Sequence, residues 1–465
     1  MKAVRPNFVF IMADDLGYAD LGCYQGRGLQ AGRVEGRGLQ TGRVEGRGLQ
    51  TGRVGGRSSC SPSLDRMARE GLRFTQGYAN SSVCSPTRFA LMTGRWQHRL
   101  RGGADEPIRS AAARGDARLG LPPAHPTLPS LLRDAGYATA LAGKWHLGFP
   151  PHFGPLKSGY QEFFGALSGA IDYFTHKDTS GIHDLFENES EIHRKGYLTD
   201  LITDRAVEFV KRKRREPFFL SVHYNAPHWP WETRADEAEA KRIDKLFHFD
   251  GGSVPTYRSM IRQMDEGIGR ILSALKNSRI DKNTIVVFTS DNGGERFSDT
   301  WPLVGKKMDL LEGGIRVPYI VRWPAKVKAG GVTTQHAVTM DWVATFLDAA
   351  GVSPDKSYPL DGKSLLPVLL KPNKTFERDL YWKMLFRNQK ALRSGDWKYL
   401  CVEGDEFLFN LALDERERAN HGKRAPERLA AMRAKYQAWD EALPKHPDAV
   451  YSVPATKADM VTPSS

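Results

Sequence analysis

Apolar positions along this chain follow two periods. Solid apolar runs cover 6–12, 137–143, 217–224 and 284–290. Such runs, rich in β-branched and aromatic residues, read as strands buried on both faces. Between them the apolar residues recur at helical spacing. Leu64, Met67, Ala68 and Leu72 mark a helix over 63–71 that stops at Gly71. Residues 127–136 form a short capped helix. Ile202, Ala206, Phe209 and Val210 predict a helix over 199–213. Met260, Ile261, Met264, Ile268, Ile271, Leu272 and Leu275 predict one over 257–276. Alternating helices and short strands predict an α/β fold, a large mainly parallel (mixed) sheet sandwiched by helices.

The pattern changes near residue 376. Shorter, more polar strands are predicted over 379–382, 390–393, 397–401 and 406–409, followed by a helix over 425–442. The expected organisation is a catalytic domain over 1–375, a smaller C-terminal α+β subdomain with an antiparallel sheet over 376–445, and a flexible tail over 446–465. One stretch has neither period. Residues 26–55 are three copies of a ten-residue unit, Gly26-Arg-Gly-Leu-Gln-Ala-Gly-Arg-Val-Glu35 and its near repeats. Glycine at this density holds neither helix nor strand, and the unit lacks the hydrophobic face of a solenoid repeat. The reading is a low-complexity, disordered Gly/Arg insertion over 26–57.

Composition narrows the function. The 465 residues are 40% hydrophobic and 26% charged, which is ordinary for a globular protein. The net charge is +13, of which the insertion, with seven Arg and two Glu, supplies +5. A basic balance suits an anionic partner. No basic block interleaved with aromatics argues for nucleic acid, and 211–215 reads as the solvated end of a helix. Cys23, Cys60, Cys84 and Cys401 form no C-x-x-C pair, which argues against zinc and against a dense disulfide framework. No apolar run approaches the about 18 residues of a membrane span. The run at 8–12 is too short for a secretory leader and leads directly into Asp14.

The candidate chemistry sits where strands end. Four predicted strands hand polar groups to the following loop: Asp14 and Asp15, Lys144 and His146, His228, and Asp291 and Asn292. Open α/β sheets place their sites beyond the carboxyl ends of their strands. Adjacent carboxylates there are costly unless paired or metal-bound; a helix N-cap is the plain alternative.

Around Cys84 the sequence reads Cys84-Ser-Pro-Thr-Arg88, followed by Thr93-Gly94-Arg95. A buried core cysteine is the plain reading. A cysteine phosphatase would need five residues between Cys and Arg, and here there are three. The segment resembles the activation motif of type I sulfatases, C-x-P-x-R with a downstream Thr-Gly-Arg, in the alkaline-phosphatase-like superfamily. Thr87 stands where Ser or Ala is more usual. Gly305-Lys306-Lys307 and Glu312-Gly-Gly-Ile-Arg-Val-Pro318 resemble a second segment of that arylsulfatase-like family.

The resemblance implies that Cys84 is oxidised to formylglycine by a formylglycine-generating or anaerobic sulfatase-maturating enzyme. It implies one divalent cation, Ca²⁺ with Mg²⁺ as the alternative, held by Asp14, Asp15, Asp291, Asn292 and residue 84. All-oxygen donors favour a hard ion. It further implies that a hydrated formylglycine, oriented by Arg88, attacks the sulfur of an anionic sulfate-ester substrate. Lys144, Lys307 and His228 would neutralise the sulfate, His228 or Lys307 would protonate the leaving alcohol, and His146 would assist release. The register to Glu312 favours Lys307 over Lys306, and His223, inside a strand, reads as structural. Members of the family are often periplasmic or secreted. Two other functions stay open: a phosphodiesterase or phosphonate monoester hydrolase on the same scaffold, and an unmodified, non-enzymatic binder of sulfated polymers that uses its basic surface. Cys60-Ser-Pro repeats the start of the motif, but Leu64 replaces the Arg, so Cys60 is read as preceding a helix.

Overall fold

The computed structural model describes residues 5–25, 59–243, 246 and 251–452. The insertion predicted over 26–57 and the last part of the predicted tail, 453–465, lie outside the described residues.

Ten strands form one sheet. From edge to edge they are Gly331–Thr333, Leu72–Phe74, Tyr319–Arg322, Thr284–Ser290, Asn7–Ala13, Phe218–His223, Ala138–Gly143, Glu162–Gly165, Phe186–Glu187 and Ser190–Glu191. The five strands from Thr284–Ser290 to Glu162–Gly165 are mutually parallel. Tyr319–Arg322 and the Phe186–Glu191 hairpin make the sheet mixed by pairing antiparallel. These strands are short and were not predicted, because a few residues carry no clear period.

The central strand shows why the solid apolar runs arise. Val9, Ile11 and Ala13 pack on one face with Ile202, Met260 and Ile268. Phe8, Phe10 and Met12 pack on the other with Phe89, Leu132 and Phe346. From Phe8 to Ala13 each side chain of the alternating strand meets a helix layer, so each of these positions is apolar. The helices Pro62–Arg69, Leu198–Lys211 and Val254–Asn277 supply the first layer. Cys84–Thr93, Leu128–Asp134 and Asp341–Ala350 supply the second. The short Leu128–Asp134 helix carries a capping box between Thr127 and Ser130.

The C-terminal sheet is antiparallel, Asp379–Met384, Gln389–Ser394, Trp397–Val402 and Asp405–Asn410, with the helix Pro426–Glu441 packed on it. Residues 446–452, expected to start a flexible tail, are instead docked. Glu106 N–H donates to Val450 O and Ser452 N–H to Glu106 O, both at 2.9 Å. These backbone groups have their partners at Glu106, a pairing that short polar sequence does not announce.

A buried ion network joins the two sheets. Lys398 Nζ, from the C-terminal sheet, lies 3.0 Å from Glu312 Oε1 and 2.8 Å from Glu417 Oε1. Glu417 Oε2 accepts the N–H of Glu312 at 2.6 Å, and Tyr78 donates to Glu312 Oε2 at 2.8 Å. Lys398→Met removes one cation and leaves Glu417 buried without its countercharge. The expected loss is about 3–5 kcal/mol, read as a lower urea midpoint with an unchanged slope.

Candidate active site

Strand register assembles the site. Ala13 pairs with Ser290, Met12 with His223, and His223 with Gly143, so four strands finish level with one another. The next residues stay in step: Asp291 N–H donates to Ala13 O at 3.1 Å, and Lys144 N–H to His223 O at 2.8 Å. Asp14, Asp291 and Lys144 therefore start one rim together. Asp15 (φ 63°) and His146 (φ 59°) then adopt left-handed backbone, as does Met308 (φ 77°) after Lys307. Unfavourable backbone of this kind persists where surrounding contacts fix it, and it clusters at functional sites.

Each of the three carboxylates meets a cation. Arg88 donates from Nε and Nη2 to Asp291 Oδ2 at 3.1 and 2.8 Å, and from Nη1 to Lys144 O at 3.1 Å. Lys144 Nζ lies 2.5 Å from Asp14 Oδ2, and Lys307 Nζ 2.7 Å from Asp15 Oδ2. Lys307, and not Lys306, is the lysine on the cluster. Burial opposes ionisation of Asp15, but Lys307 outweighs it and holds the carboxyl below its ordinary value. Burial and the Asp14 charge push Asp291 up against the pull of Arg88. The Lys307 ammonium is stabilised well above its ordinary value, since Asp15 outweighs burial.

Cys84 opens the buried helix Cys84–Thr93, and its Sγ is 3.5 Å from Asp14 Oδ1. The positive end of the helix dipole thus faces the cluster and favours an anion there. Thr87 holds the preceding loop: its Oγ1 accepts from Ser81 N–H at 2.9 Å and donates to Ser81 O at 3.1 Å. The Thr-Gly-Arg closes the helix. Thr93 donates to Phe89 O, and Gly94 takes the left-handed cap (φ 68°). Cys60 is elsewhere, buried before the helix Pro62–Arg69, with its thiol on Asp20 O at 3.4 Å.

The histidines differ in which nitrogen is open. His146 Nε2 faces Ile108 O at 2.8 Å, so it carries the proton, and the buried Nδ1 has no hydrogen-bond partner. Burial and then Lys144 push its pKa well down, which keeps the ring neutral. His228 Nδ1 faces Trp229 O at 2.6 Å, which leaves Nε2 open, 3.6 Å from Asp15 Oδ2. Burial and Lys307 lower His228 to about 3. His223 donates from Nδ1 to Lys144 O, a positioning contact consistent with its structural reading.

The donor set suits a hard cation. Donor atoms of Asp14, Asp15, Cys84 and His228 lie within 4.8 Å of one another. Asn292 Nδ2 donates to Asp15 Oδ1 at 2.7 Å, while its buried Oδ1 has no partner. A buried carbonyl oxygen beside carboxylates is a natural cation ligand. Other contributors carried no signal in sequence. Ser85 Oγ accepts the N–H of Ile108, which aligns the carbonyl that holds His146. Tyr173 donates to His228 O at 2.8 Å. Gly169 lies against His146, where an added Cβ would sit 2.3 Å from Cε1. Tyr173 and Gly169 come from irregular loops, and Ser85 is the second residue of the Cys84–Thr93 helix.

Known proteins are similar to this chain in sequence and fold. Residues 6–352 match the Sulfatase family. N-acetylgalactosamine-6-sulfatase of Mus musculus is 34% identical over 389 residues, 79% of this chain and 66% of that protein. The uncharacterized sulfatase YdeN of Escherichia coli (strain K12) is 32% identical over 392 residues, 78% of this chain and 66% of that protein. The chain thus spans about two thirds of the length of these relatives. The solved structure of Ps i-CgsB in complex with k-i-k-neocarrahexaose superposes with a TM-score of 0.79 at 28% identity, covering 97% of this chain and 95% of its own. With most of its length matched and the strand-end cluster in place, the chain belongs to the Sulfatase family.

Proposed function

We propose that this protein hydrolyses carbohydrate sulfate esters, with residue 84 converted to formylglycine and a hard divalent cation, Ca²⁺ in preference to Mg²⁺, at the carboxylate cluster. The observation that carries the reading is the balance of charge around Cys84. Asp14, Asp15 and Asp291 are matched by Lys144, Lys307 and Arg88. A divalent cation added to that balanced set leaves an excess of positive charge for an anionic sulfate group. Asp14, Asp15, Asp291, Asn292 and residue 84 would hold the cation, which would supply Lewis-acid polarisation. Unmodified cysteine has a single attacking atom. A hydrated aldehyde at 84 has two hydroxyls, one to take the sulfuryl group and one to release it.

The remaining residues then have separate tasks. Arg88 fixes the Asp291 carboxylate and the Lys144 carbonyl, and so orients the rim. Lys144 and Lys307 neutralise sulfate oxygens. Lys307, charged and 2.7 Å from Asp15, is placed to give a proton to the leaving alcohol. Neutral His228 presents Nε2 as an acceptor to the same region. His146, with Nδ1 open, takes the proton of the second hydroxyl. The sugar preference rests on relatives whose names specify carbohydrate: one is an N-acetylgalactosamine-6-sulfatase, and one binds k-i-k-neocarrahexaose. The maturating enzyme is a required partner in this reading.

Three outcomes test it. After co-production with a maturating enzyme, mass spectrometry should find the aldehyde at residue 84, Cys84→Ala should drop to background on an aryl or sugar sulfate, and Cys60→Ala should keep most activity. An aldehyde at 60, or an active Cys84→Ala, would overturn the reading. Faster turnover of phosphate or phosphonate monoesters than of sulfates would transfer the site to the rival chemistry. Asp291→Ala should lose at least about a hundredfold in kcat, and added Ca²⁺ or Mg²⁺ should not restore it; near-normal turnover would refute the cation assignment. Gly169→Ala should displace the His146 ring and lower kcat while leaving the melting temperature nearly unchanged. An undisturbed ring in a crystal structure of that variant would refute the contact.

A further inference from the structure

A second group of ligating side chains lies away from the catalytic cluster, beside the hairpin Phe186–Glu187 and Ser190–Glu191 at one end of the large sheet. His183 precedes the hairpin, Glu191 closes it and His193 follows. One donor atom from each lies within 4.8 Å of the other two. His183 Nδ1 is 3.1 Å from Glu191 Oε1, and His193 Nε2 is 3.7 Å from the same oxygen. The two imidazoles are 4.2 Å apart, centroid to centroid, at 34°.

These separations match a metal site. Ligand bonds of about 2.0–2.2 Å in a tetrahedral site set donor atoms about 3.3 Å apart. The two measured distances bracket that value, and both run to one carboxylate oxygen. Two imidazoles and one carboxylate are the ligand chemistry of a borderline ion, unlike the all-oxygen cluster of the catalytic site. We propose that His183, Glu191 and His193 bind one Zn²⁺-class divalent ion, with water completing the coordination.

The chain around the site supports a structural role. His176 stands behind, its ring 6.3 Å from that of His183 and its buried Nε2 without a partner. Backbone pairing of Lys177 with His183 and a bond from Asp184 N–H to His176 O fold the ligand-bearing turn onto that segment. Asp184 in turn accepts the N–H of Ser168 at 2.8 Å, one residue before the glycine that abuts His146. An ion here would tie the sheet edge to the loop that backs a catalytic histidine.

Metal-free full-length protein, given excess Ca²⁺ to fill the hard site, would be titrated with Zn²⁺ and Co²⁺. Wild type should take up one equivalent, give the visible absorption of tetrahedral Co²⁺, and melt at a higher temperature with Zn²⁺. His193→Ala should lose all three effects. Its side chain is 79% exposed, so folding should be retained. Glu191→Gln should lose them too, whereas Asp291→Ala should keep them. Equal uptake by wild type and His193→Ala, no uptake by wild type, or loss in Asp291→Ala alone would overturn the proposal.

Discussion

Two like charges brought together out of water are the constraint from which the rest of this structure follows. Strand register sets Asp14 beside Asp291, with Asp15 next in line, all three buried. Unpaired, such carboxylates would cost several kcal/mol each or would stay protonated. Each is therefore met by a cation from a different part of the chain: Arg88 from a helix, Lys144 from a strand end, Lys307 from a loop. The repulsion remains visible in Asp291, pushed up by burial and Asp14 despite Arg88. A site with strained carboxylates and an unpartnered Asn292 oxygen is poised for a cation.

The third of those cations explains the second domain. Lys307 sits on a loop that Glu312 closes, and Glu312 is held by Lys398 of the C-terminal sheet. Gln389, also from that sheet, donates to Met308 O at 2.8 Å and accepts from Leu310 N–H at 2.9 Å. The small sheet thus buttresses the lysine loop from behind. Its polar, short strands made it readable as a separate subdomain, yet its contacts with the catalytic domain are specific and buried.

Much of this was legible from residue pattern. The central strands are buried on both faces, so their sequences are solid apolar runs, and the polar residue after each run marked the rim. Cys84, Arg88 and the Thr-Gly-Arg were legible because their resemblance to the sulfatase activation motif rests on residues close together in sequence. What escaped prediction depends on contacts between distant segments. The Ile108 carbonyl that selects the His146 tautomer has no side-chain signature. Gly169 is one glycine among 45. The short edge strands have too few residues for a period, and the docking of 446–452 rests on backbone groups that any residue could supply.

Substrate selection belongs to the same class of non-local feature. The segments around Tyr173 and Trp229 both reach His228. Tyr173, beside Phe174, holds the His228 carbonyl, and the Trp229 ring lies 4.4 Å from the imidazole. Trp231 packs against Phe297 at 4.7 Å, with the Arg296 guanidinium over its face at 5.3 Å. The loops near residues 230 and 297 therefore share an aromatic wall, and the loop near 173 is tied to the first of them by Tyr173 N–H on Glu232 Oε2 at 3.3 Å. Aromatic faces beside cationic groups suit a sugar ring that carries sulfate, whose apolar face can stack while its anionic groups are neutralised. The strand-end cluster is fixed by sheet register, whereas this wall is built from loops. Its composition is visible in the sequence, but its shape is set only when these loops pack together.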